Sequence, residues 1–136
     1  MSYVSALIPV RLDAASGRVR LAARFSYDAG DPYAVQAEFF DGLSVLACWH
    51  FDRQMLAEGL HRPVGEGDVT FGPRKGAGVD ELRVDLRSRS GEQQGKAVLF
   101  VEACTLMAFL EQTYAVIGVG EECLDIDKHL DELRAR

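Results

Sequence analysis

The chain has no pair of closely spaced cysteines. Its three, Cys48, Cys104 and Cys123, are odd in number and far apart, which argues against a disulfide scaffold and fits a reducing cytoplasm. No apolar run approaches the roughly 20 residues that a membrane-spanning helix needs. The opening stretch, MSYVSALIPVRLDAASGR, has neither a basic n-region nor a long apolar h-region, so no secretory signal is expected. Positive charge is also short: 15 Lys plus Arg face 21 Asp plus Glu, a formal net charge of −6. Such a chain repels nucleic acid overall, although a local basic face could still bind it. Low-complexity tracts, linkers and short internal repeats are missing as well.

What remains is an ordinary globular composition. The 136 residues, 48% hydrophobic and 26% charged, suit one domain with one core. Ser5–Leu12 reads as a first strand and Ser16-Gly17 as its turn. From Arg18 to Tyr27 the alternation is clean. Val19, Leu21, Ala23, Phe25 and Tyr27 share one face; Arg18, Arg20, Arg24 and Ser26 share the other, as in a half-buried strand. Asp31-Pro32 breaks the run. Tyr33–Phe40 is a third strand with Tyr33, Val35, Ala37 and Phe39 inward, Asp41-Gly42 a hairpin turn, and Leu43–Phe51 a fourth strand with Val45, Ala47, Trp49 and Phe51 inward. Asp52 is placed to cap a short helix, edged by Met55, Leu56 and Leu60 and ended by Gly59 and Pro63. Further strands are expected at Asp68–Gly72, Glu81–Ser88 and Lys96–Val101, with a polar turn over Ser90–Gly95. A long helix follows at Cys104–Ile117, and a last one near Asp125–Arg134. The order is four strands and a helix, then three strands and a helix. Strands arrive in runs, so the fold class is α+β, built of two antiparallel-sheet-plus-helix halves.

The candidate chemistry is thin. Cys48 and His50 lie two apart on one strand and so point to one face. With His61 nearby they could begin a metal site. A structural zinc normally takes four ligands, and Cys104, Cys123 or His129 would have to converge on this pair through the fold. The plainer reading is a buried thiol beside a half-exposed imidazole. A Cys/His nucleophile pair needs contact and an orienting third group, which strand neighbours rarely supply. Gly65-Glu66-Gly67-Asp68 superficially resembles a phosphate loop, but it follows a helix and lacks the Lys-Ser/Thr pair, so it reads as a turn. Asp28, Asp31 and Asp41 sit in turns, where Asp caps its own backbone.

Two features speak to partners. Arg18, Arg20 and Arg24 line the outer face of the second strand; Arg83, Arg87 and Arg89 line that of the sixth. If those strands were neighbours they would form a basic stripe for single-stranded nucleic acid, which wants cations interleaved with stacking aromatics. Only Phe40 and Phe100 offer such rings. The alternative is a solvated face with cross-strand pairs to Glu38, Glu81 and Asp85, and this is favoured. The second feature is the run Leu106, Met107, Ala108, Phe109 and Leu110, wider than one buried helix face requires. It is expected to meet a second subunit, with Leu106, Phe109 and Leu110 at or near the interface.

An ordered series of motifs carries a resemblance: Asp31-Pro32-Tyr33-Ala34-Val35, then Trp49 and Phe51, then Leu56-Ala57-Glu58-Gly59-Leu60. Pro63, Gly65, Gly67-Asp68-Val69 and Pro73 follow, and later Phe109-Leu110 with Thr113, and Asp125-Ile126-Asp127 with Leu130. The chain resembles the SsgA-like proteins of actinobacterial sporulation and cell division over nearly its whole length, 1–136, with the SsgB-type branch favoured. The resemblance implies a non-enzymatic protein, and with the thin candidate chemistry no cofactor and no metal are expected. It implies a role in septum placement and FtsZ recruitment, a cytoplasmic location at the septum, and a fold similar to the bell-shaped trimers of Whirly type. FtsZ and other division proteins are then the expected partners, with a homotrimer of the chain itself; nucleic acid is not an expected partner.

Overall fold

The computed structural model describes residues 3–76, 78–88, 95–118 and 120–121. The expected last helix, with Cys123 and His129, lies outside these residues, as do Arg89 and residues 90–94 of the expected turn. Eight strands and two helices follow in order. They are β1 (Tyr3–Ala14), β2 (Gly17–Asp28), β3 (Ala34–Asp41), β4 (Ser44–Asp52), α1 (Arg53–Gly59), β5 (Val64–Glu66), β6 (Val69–Arg74), β7 (Glu81–Ser88), β8 (Gly95–Glu102) and α2 (Ala103–Val116). All strands join one antiparallel sheet in the order β4-β3-β2-β1-β8-β7-β6-β5. The two halves therefore repeat one motif, a four-strand meander closed by a helix, and meet where β1 pairs with β8.

The second half holds four strands rather than the three expected. The extra one, β5, spans three residues and pairs with β6 through Val64↔Phe71. Gly67 turns the chain between them at φ +61°, and Gly42 does the same at φ +62° between β3 and β4. Both are two-residue loops with glycine first, the position that needs positive φ. Pro73 lies in β6 beyond the reach of β5, where its missing N–H breaks no ladder bond on that side.

The sheet curls strongly. Phe51 on β4 meets Phe71 on β6 edge-on at 5.2 Å, although five strands separate them in the sheet. The helices fill the inside of the curl. Phe109 of α2 sits edge-on against Phe25 of β2 at 5.8 Å. α1 lies so close to β6 that a Cβ on Gly59 would collide with Phe71 Cβ. Leu21, Ala23, Phe25 and Tyr27 face this core as the alternation predicts, with Ile8, Val10, Leu99 and Val101.

Three inward expectations fail. Val19 is 41% and Tyr33 45% exposed, since both lie at strand ends. Val45 is turned outward by a β-bulge. Phe39 pairs with Ala47 but Phe40 pairs with Val45, so Leu46 is the extra residue. One inserted residue reverses the alternation beyond it.

Candidate interaction surfaces

On the outer face, β2 and β7 are not neighbours, because β1 and β8 run between them. The stripe expected from strand adjacency does not form. In its place Arg20, Arg11, Phe100 and Arg83 stand in register across four strands. Acids are interleaved among them. Arg18 donates to both oxygens of Glu81 at 3.1 Å, and Arg11 approaches the same carboxylate at 3.5 Å. Arg83 donates to Asp85 at 2.8 Å. That hydrogen bond, with the neighbouring charge, raises the Arg83 pKa above its ordinary value. Arg24 stands opposite Glu38 and over the Phe40 ring at 5.7 Å. Arg20 and Arg87 are exposed.

Phe100, the main outward ring, is only 3% exposed. Arg18 covers it at 3.9 Å from the ring centre and Arg74 at 4.9 Å. These guanidinium stacks seal the ring, so it offers no stacking platform. The cross-strand pair expected with Glu81 is present, whereas Asp85 pairs with Arg83 two residues away on its own strand.

Leu106, Phe109 and Leu110 are 0–2% exposed within their own chain. α2 lies against β1 and β8 and turns these residues inward. Met107 and Ala108 are the outward members of the run. A second subunit lying on α2 would meet that side.

Cys48 and His50 share the outer face of β4, and both are exposed. The buried-thiol reading fails: among the described residues no helix covers that face and Cys48 is exposed. Gln36 Nε2 donates to Cys48 Sγ at 3.2 Å. Among the described residues, no group of three His, Cys, Asp or Glu is placed to hold a metal. Gly65–Asp68 is hairpin, as read.

Sequence reasoning missed Arg53. It is the first residue of α1, 1% exposed. Its Nη1 donates to the carbonyls of Thr113 at 3.2 Å and Ile117 at 2.7 Å, and Nη2 to that of Gly118 at 3.2 Å. Its guanidinium also lies near the rings of Tyr27 and Tyr114. It thus caps the C-terminal end of α2, where the dipole and unpaired carbonyls favour a cation. Only an arginine one residue after an N-cap gave any local sign.

At the opposite end the curl stays open. An apolar cavity of about 310 Å³ lies between the halves, lined by Leu12, Leu21, Phe39, Trp49 and Leu99. Beside it, Leu43, Val45 and Leu46 of the β3–β4 hairpin are all more than half exposed.

The fold and these surfaces define a class: an α+β protein with a curled eight-stranded sheet, an apolar mouth and an arginine-studded outer face. Residues 21–122 match the family described as "Streptomyces sporulation and cell division protein, SsgA", and the chain belongs to that family. It is 40% identical to the sporulation-specific cell division protein SsgB of Streptomyces coelicolor, over 83% of this chain and 81% of that one. With SsgB of Thermobifida fusca the identity is 34%, over 84% and 81%. Among solved structures, one from a study correlating mutations in SsgB with longitudinal cell division during sporulation of Streptomyces coelicolor superposes with a TM-score of 0.83. It is 35% identical, covering 91% of this chain and 95% of that one. An SsgA-like sporulation-specific cell division protein from Thermobifida fusca gives 0.88 at 28% identity, over 99% and 96%. These relatives are named as division proteins, not as enzymes. No helix among the described residues is long and apolar enough to cross a membrane.

Proposed function

We propose that this chain is a non-enzymatic regulator of sporulation-type cell division, which helps position the septum and recruits FtsZ there. The observation that carries the reading is the end-to-end match. Fold and sequence agree with SsgB-named proteins across both sheet-plus-helix halves, so the likeness is not confined to a shared scaffold. An adaptor acts through surfaces, and the apolar mouth and hairpin supply apolar surface of the kind that marks protein contacts. On this reading the protein works in the cytoplasm at the septum. It acts as a homotrimer, similar to the Whirly-type assemblies, joined over the outward side of α2 where Met107 is exposed, beside the inward row of Leu106, Phe109 and Leu110.

Deletion of the gene in its own host, with a fluorescent fusion restored in trans, tests the role. The expected result is loss of sporulation septa on deletion, and fusion foci at septal sites before constriction. Normal septation in the deletion strain contradicts it.

A further inference from the structure

Strand β4 is a sheet edge of unusual character. It lies at one end of the strand order and, among the described residues, pairs only with β3. Exposed edges are ordinarily blunted by lysine, other charges or proline, because an open row of N–H and C=O groups templates further strands. From Gly42 to Phe51 this chain has no Lys, Arg, Asp, Glu or Pro. Among the described residues the one protective device along this stretch is the bulge at Leu46, which lies toward the hairpin and leaves Ala47 to Phe51 in regular register. The bulge also has a second effect. It places Leu46 and Ala47 together on the lining of the apolar cavity, beside Trp49. The cavity and the open edge are therefore one continuous feature.

Charge defines one end of it. Lys96 lines the cavity and stands opposite Arg87 in the β7–β8 ladder. Both are exposed, and among the described residues no carboxylate is paired with either. Two cations in direct register repel each other, so a carboxylate brought to this rim is favoured.

We propose that β4 takes an added strand: an extended segment of a partner protein, apolar at every second position, with a carboxylate at the end that reaches Lys96. Its backbone would pair with β4 from Ala47 to His50. Its alternate side chains would enter the cavity beside Leu46 and Trp49, while the others would lie by Cys48 and His50. Main-chain bonds supply affinity in this mode, and the cavity supplies selectivity. The inference deepens the adaptor reading and rests on it only for the natural partner's identity.

The test uses the full chain and a labelled short peptide alternating valine and threonine, with a terminal glutamate. Anisotropy measures binding, and amide exchange reports the edge. Expected are saturable binding and slowed exchange confined to β4. A peptide of the same composition with its valines adjacent should bind at least about tenfold more weakly. Leu46→Lys sets a charge on the cavity lining at a site 54% exposed, and should weaken binding by at least about tenfold with its melting unchanged. Cys48→Lys, on the outer side of the edge, is the second probe should the first variant fold poorly, and should act alike. Equal binding of the two peptides, or no added protection on β4, overturns the proposal. So does a dimer, by light scattering, that Leu46→Lys dissolves, since the occupant would then be a second copy. FtsZ association that survives Leu46→Lys removes the edge site alone. Wild-type protein that fails to associate with FtsZ removes the adaptor reading and leaves the peptide result standing.

Discussion

Arg53 shows what one residue can hold together. It joins the start of α1 to the end of α2, 60 residues later, through three carbonyls and the Thr113 hydroxyl. Replacing it with methionine keeps the stem but leaves those acceptors without their donor, at about 1–3 kcal/mol for each one truly buried. Arg53→Met should therefore lower stability by about 2–4 kcal/mol in urea unfolding; a loss within error would show that water replaces the guanidinium. Gly59 is a steric case. A methyl there meets Phe71, so Gly59→Ala should destabilise by about 1–3 kcal/mol through overpacking, although alanine favours helix. Trp49 is half-buried at the cavity, stacked near Phe51 at 6.5 Å. Trp49→Ala should cost less than the about 3–5 kcal/mol of a fully buried aromatic, whereas Phe109→Ala should reach that range. Cys48 and His50 are exposed, so Cys48→Ser with His50→Gln should fold with its stability changed by about 0.5 kcal/mol or less.

Elements were legible where pattern is local. The alternation of β2, the Asp52 cap, which accepts Met55 N–H at 2.9 Å, and the stripe of α2 all follow from nearest-neighbour periodicity. Elements were lost where the pattern is short or broken. Val64-Gly65-Glu66 offers one apolar residue and no alternation to detect. The bulge at Leu46 adds one residue and so inverts the facing of Val45. Strand adjacency was the deepest loss. That β1 pairs with β8, through Val10↔Val101, is a contact across the whole chain, and without it β2 and β7 could be imagined side by side. The buried role of Arg53 was hidden likewise, since its partners lie on the far helix. For α2 the inward packing of Phe109 sets an expectation. Phe109→Asp should unfold the chain, because an unpaired charge in a core is costly. Met107→Asp, on the exposed side, should leave the fold intact and weaken any helix-mediated oligomer. Light scattering with circular dichroism separates the two outcomes.

At the scale of the whole molecule, two similar halves make one curled sheet, closed at one end by helices and open at the other. The closed end holds the core and Arg53. The open end holds the apolar cavity and the unblunted edge of β4. On the proposed reading, stability and recognition are divided between the two ends, and the mouth would engage a partner without disturbing the packing beneath α1 and α2. On the outer face Arg11, Arg18 and Arg83 are matched by Glu81 and Asp85, in keeping with the net charge of −6. On the proposed function, the chain meets FtsZ directly. Co-sedimentation of the purified chain with FtsZ polymers, formed with GTP and spun against an FtsZ-free control, measures that contact. The chain should appear in the polymer pellet, saturably and only with FtsZ present; a chain that stays wholly in the supernatant at every FtsZ concentration would contradict recruitment as its function.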